Sequence, residues 1–181
     1  MKAKTILKRT AAMLLTLCLG VSCMAATASA RGDVDTGRSA SLTVYFGEGG
    51  SGFSDVEFDI YHVADISDTG DSTLTGDFQG YPVSLEDLDS SGWRALAQTL
   101  ASYAVRDSLN PLQSQKTGQD GRSYFPGLTV GLYLVTGASH EKEGTTYTPE
   151  PMLVSLPMLA EDGERLYDVE VSCKFDSETI P

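Results

Sequence analysis

The stretch YDVEVSCKF, Tyr167 to Phe175, sets Lys174 one residue past the cysteine Cys173, at the end of a regularly alternating run. A two-residue period places Val169, Val171, Cys173 and Phe175 on one face, and Asp168, Glu170, Ser172 and Lys174 on the other. Lys174 thus carries a primary amine on a polar face, as does any solvent-facing strand lysine. Other reactive side chains form no constellation. His62 and His140 have no partner at i,i+4 and no cysteine or carboxylate at zinc-ligand spacing. GGSGF lacks the second glycine of a nucleophile elbow, and no phosphate-cradling loop is followed by Lys-Ser or Lys-Thr. The acidic loop with Asp65, Asp68, Asp71 and Asp77 has Gly76 where a calcium loop needs a bidentate glutamate, so it reads as solvated. Arg31–Gly32–Asp33 reads as a chance match. No catalytic residue, metal site or cofactor motif emerges, and the chain reads as non-enzymatic.

The elements that must position Lys174 begin after an export segment. Lys2, Lys4, Lys8 and Arg9 precede the apolar run 11–21, and Ala28 to Ala30 offer a small-x-small cleavage site, so 1–30 reads as a signal peptide. Gly20 stands where a lipoprotein signal ending at Cys23 would carry a large aliphatic residue. Removing these residues leaves nine basic against twenty-five acidic side chains, a formal charge of −16. Such a surface excludes nucleic acid as a partner. Cys18 and Cys23 leave with the signal, so Cys173 has no partner for an internal disulfide. No later apolar run is long enough to span a membrane.

Period-two alternation dominates the remainder. In SLTVYF, Leu42, Val44 and Phe46 share a face; in VEFDIYHV, Val56, Phe58 and Ile60 do. Further strands fit Ser123 to Phe125, GLYLVTG from Gly131, MLVSLP from Met152 and a closing strand from Leu166. One segment differs: from an N-cap at Ser90 or Ser91, Trp93, Leu96, Ala97, Leu100 and Ala104 recur at helical spacing to about Val105, with Trp93 as a core anchor. These elements predict a mostly β chain, an antiparallel β-sandwich with one helix-bearing insertion.

Four stretches, SLTVYF...VEFDIYHVAD, TGQDGRSYFPGLTVGLYLV, YTPEPMLVSLPM and YDVEVSCK, together resemble Gram-positive pilus subunits and SpaA-type surface proteins. The resemblance implies a prealbumin-like, Ig-like or Cna protein B-type sandwich over 40–175, a leader over 31–39, and a tail or linker start over 176–181. It implies that Lys174 is a sortase acceptor within a pilin-motif-like strand that includes Tyr167, Asp168, Val169 and Val171. Arg165, Ser172 and Cys173 stand where that motif has tryptophan, tyrosine and proline. Phe46 occupies the first-strand place where the family often has an amide-forming lysine, so no internal amide is expected there. The family ends in a sorting signal and this sequence ends in SETIP, which makes it either a piece of a longer protein or a released one.

The implied role is an exported structural or adhesive module of a Gram-positive cell surface or cell wall. Its partners would be a sortase, other pilin or surface subunits, and a host or matrix ligand. The alternative is a secreted binding domain for carbohydrate or a small ligand, using the loops 64–80 and 137–149.

Overall fold

A computed structural model describes residues 33–179; residues 1–30, read as a signal peptide, with Cys18 and Cys23, as well as Arg31, Gly32, Ile180 and Pro181, lie outside the described residues. In chain order the elements are β1 (Ala40–Tyr45), the short pair β2 (Gly47–Glu48) and β3 (Ser51–Gly52), β4 (Glu57–Ile66), β5 (Ser72–Leu74) and α1 (Ser90–Arg106). They continue with β6 (Gln113–Lys116), β7 (Arg122–Leu128), β8 (Gly131–Gly137), β9 (His140–Lys142), β10 (Thr145–Pro149) and β11 (Met152–Leu156). The short pair β12 (Met158–Leu159) and β13 (Arg165–Leu166), then β14 (Asp168–Ser172) and β15 (Phe175–Thr179), complete the order.

Three sheets carry the fold. One has the order β14-β1-β7, another β11-β8-β4-β5 with β6 also on β4, and the third β15-β10-β9. The alternating residues of β1 and β14 place Leu42, Val44 and Val169 inward, where they meet Phe58, Ile60, Tyr133 and Val135 of the second sheet in one buried cluster. The opposite face of that second sheet is covered by α1, whose Leu96, Ala97 and Leu100 pack with Val63, Leu132 and Leu134. Strand β8 therefore has both faces covered. Its run Gly131 to Val135 is buried at every position, which is why GLYLV is apolar without alternation. The Tyr133 hydroxyl in that strand donates to the Thr129 carbonyl at 2.8 Å, so its burial leaves no unmet hydrogen bond.

The sandwich and the helix-bearing insertion follow the sequence expectation, with differences in detail. The pairing is antiparallel except between β1 and β14, which run parallel with Leu42 opposite Val169 and Val44 opposite Val171. Asp89, rather than Ser90 or Ser91, caps the helix: its Oδ1 accepts the Gly92 N–H at 2.7 Å and the Ser91 hydroxyl at 2.8 Å. A carboxylate outcompetes the neighbouring hydroxyls because it also meets the positive end of the helix dipole. Trp93 is half-buried against the helix-side cluster, so it anchors α1 only partly and leaves one side facing outward.

Strand pairing also reaches beyond the alternating core. The polar Gln113–Lys116 pairs with β4, and Phe175–Thr179 pairs with β10, so regular structure continues to residue 179. Upstream of β1, Val34 is buried and its N–H donates to the Asp68 carbonyl at 2.8 Å. Among the described residues, no helix is long and apolar enough to cross a membrane.

Candidate functional site

Lys174 lies in a two-residue joint, Cys173 and Lys174, between β14 and β15, and not within a strand. The alternation of YDVEVSCKF runs straight through the joint, which hides the break in the sequence. Two backbone hydrogen bonds and one strand pairing hold the segment. The Cys173 N–H donates to the Tyr45 carbonyl at 2.8 Å, fixing the end of β14 to β1. The Glu150 N–H donates to the Lys174 carbonyl at 2.8 Å, and Pro149 pairs with Phe175, fixing the start of β15 to β10. The chain thus passes from one sheet to another at Lys174 with its backbone pinned on both sides.

Side chains around the joint divide as the period predicts. Val169 is buried, Val171 half-buried, and Cys173 only 7% exposed, while Asp168, Glu170, Ser172 and Lys174 face solvent. Burial pushes the Cys173 thiol up to about 12, with the nearby Glu150 charge as a second cause. The thiol is neutral and acts as a small apolar side chain.

The motif residues upstream have structural partners. Tyr167 is buried, its hydroxyl accepts the Asp35 N–H at 2.8 Å, and Arg38 lies 4.3 Å over its ring. Asp168 accepts the Ser41 hydroxyl at 2.7 Å, which ties β14 to β1 on the outer face. On that face Arg122 reaches across β1 to Glu170 at 2.9 Å. These contacts support the strand that leads to Lys174.

Lys174 opens onto a groove of about 250 Å³ between α1 and the edge of β11. The helix contributes Ser90, Trp93, Arg94 and Ala97; the facing wall is Glu150, Pro151, Met152 and Leu153. The outward side of Trp93 forms part of the helix wall of the groove. Arg94 Nε stands 3.8 Å from Glu150 Oε2. Sequence reading missed Arg94 and Glu150, which lie 56 positions apart and meet only through the docking of α1 on β11. The one local signal was Glu150 itself, a charge set between Pro149 and Pro151, where no central strand can continue.

The three lysines of the described residues differ in their surroundings. Lys116 donates to Asp55 at 3.0 Å, and Lys142 lies 5.6 Å over the Phe53 ring. Lys174 has no side-chain ion pair, hydrogen bond or ring contact among the described residues.

Elsewhere the candidates serve packing. His62 stacks on Tyr133 at 5.0 Å and His140 on Phe53 at 4.9 Å. The acidic loop closes on itself, with Ser67 and Asp71 joined by two bonds near 3 Å. Among the described residues, no three histidine, cysteine, aspartate or glutamate side chains converge as a metal site. The binding loops of the alternative reading are partly strand: 140–149 forms the hairpin of β9 and β10. Phe46 sits fully buried, its ring edge-on to Phe53 at 5.0 Å and to Phe58 and Phe175 at 5.7 Å.

No curated protein sequence matches the chain at the significance required. Among solved structures it is similar to the full-length major pilin SpaD of Corynebacterium diphtheriae, at 21% identity and a TM-score of 0.46 over 80% of this chain. This chain spans only 31% of that pilin. It is also similar to the SpaA pilin of the same organism, solved in complex with a signal peptide, at 21% identity and a TM-score of 0.45, covering 78% of this chain and all of that one. A third is the pilus 2b backbone protein of group B streptococcus, at 14% identity and a TM-score of 0.42, over 76% of this chain and 41% of that one. The family model for the Gram-positive pilin subunit D1, N-terminal domain, matches residues 23–174, ending on the lysine in the groove, and the chain belongs to that family.

Proposed function

We propose that this chain is a structural subunit, or the N-terminal part of one, in a pilus on a Gram-positive cell surface, and that Lys174 is the amine through which a sortase joins it to the next subunit. The observation that carries the reading is the state of Lys174: exposed in an open groove, pinned by its backbone and, among the described residues, without a side-chain partner. An acyl-transfer acceptor must be a reachable amine that can lose its proton, and an exposed lysine without a counter-ion suits that role. A sortase holds the cleaved sorting signal of another subunit as a thioester; the neutral amine attacks its carbonyl, a C–N bond forms, the C–S bond breaks, and the enzyme thiol is released as the amine's proton is lost.

The test is an immunoblot of wall extracts from the producing bacterium. Wild type should give a detergent-resistant ladder of high-mass species, and Lys174→Arg should give monomer alone, because a guanidinium stays protonated and cannot act as the nucleophile. A ladder unchanged in the variant strain would remove this role from Lys174.

A further inference from the structure

The charged side chains lining the groove are Arg94, Glu150 and Lys174. Glu150 and Lys174 are joined through their backbones, so the carboxylate has a cation on the neighbouring strand segment. It pairs instead with Arg94, reaching across to the helix at 3.8 Å. No carboxylate of the described residues lies within 4.0 Å of Lys174 Nζ. A cross-strand pair of opposite charges would ordinarily be expected to close.

We infer that Arg94 is a positioning residue for Lys174: by drawing the Glu150 carboxylate onto α1, it keeps the Lys174 amine without a counter-ion and so available as a nucleophile. The physical cause is general. A carboxylate within a few ångströms of an ammonium stabilises the protonated form, and the protonated form has no lone pair to attack with. The same chain shows the effect at Lys116, where the hydrogen bond and charge of Asp55 hold the ammonium's proton more tightly than usual. Arginine suits the competing role because its guanidinium is charged at every working pH and therefore never releases the carboxylate by titration. Together Arg94 and Glu150 present almost no net charge to Lys174; Glu150 alone would present a full negative one.

The biological meaning of this arrangement rests on the acceptor role proposed for Lys174, but its test does not need a sortase. The mature chain is treated with a small acetyl thioester, S-acetyl-N-acetylcysteamine, and acetylation of each lysine is followed by peptide mass spectrometry across pH. In each event the Nζ–C bond forms, the C–S bond breaks, and the thiol leaves with the proton lost by the amine. Lys174 should be acetylated faster than Lys116 in the wild type. Arg94→Gln should slow Lys174 by about two- to fivefold, the scale set by a partly exposed ion pair, and move its rate profile to higher pH. Lys116 should not change. Arg94→Gln with Glu150→Gln should return Lys174 to the wild-type rate, because both charges are then gone. An unchanged Lys174 rate in Arg94→Gln would overturn the inference. So would a slowed rate that the double variant fails to restore, since that would mark a structural effect. Loss of the wall ladder in vivo and loss of the Arg94 effect in vitro are separate outcomes, so either proposal can fail alone.

Discussion

The backbone N–H of Glu150 donates to the carbonyl of Lys174 at 2.8 Å, and this one bond joins the wall of the groove to the residue that opens onto it. The main chain at 174 is therefore fixed by bonds that do not involve its own side chain. Exchange of that side chain should leave the fold untouched. Lys174→Arg is expected to shift the Tm by less than about 2 °C, as for an exposed substitution in a domain of this size. A calorimetric scan showing a larger drop would mean that the amine supports the structure.

Phe46 is the opposite case. It is fully buried and meets three other rings edge to face. Phe46→Ala removes this contact area and leaves a cavity, and should cost about 3–5 kcal/mol. Urea denaturation is the check: the midpoint should fall with little change in slope, and a loss below about 1 kcal/mol would show that the aromatic cluster does not hold the sandwich together.

Cys173 makes a prediction about pH. Folded, its thiol keeps the proton up to about pH 12. Unfolded, it releases the proton near its ordinary value of about 8.5. Its contribution to stability is thus complete below about pH 8.5 and declines as pH rises toward 12, because the unfolded chain then binds fewer protons. At pH 8 a thiol reagent should react with the native protein slower than with the urea-unfolded chain by about three orders of magnitude, the ratio of the thiolate fractions. Similar rates in the two states would place the thiol in solvent.

The parts of this fold that could be read directly are those where water meets one face of an element. Leu42 and Val44 of β1, and Phe46 just past it, alternate with Thr43 and Tyr45 because the outer side of that run is only partly covered, and the α1 residues Leu96, Ala97 and Leu100 are set by the single sheet they cover. Gln113–Lys116 carried no such signal: it pairs with β4 through its backbone, and three of its four side chains are exposed. The parallel pairing of β1 with β14 was hidden for another reason. Alternation fixes which side chains turn inward, and it is the same whichever way the neighbouring strand runs. Lys174 could be singled out because face and motif coincide in nine consecutive residues. Its groove could not, since Arg94, Glu150 and Lys174 come from three segments that meet only once the helix has docked on β11.

The joint at Cys173 and Lys174 also decides how the domain would experience tension. A pull entering at an amide on Lys174 and leaving along the main chain toward Thr179 runs through β15 and bypasses every residue from Val34 to Cys173. The sandwich then hangs beside the strained segment like a bead threaded near its edge. Its rings around Phe46 need only resist thermal motion, because the load is carried by the covalent main chain of β15, Phe175–Thr179, which is already extended.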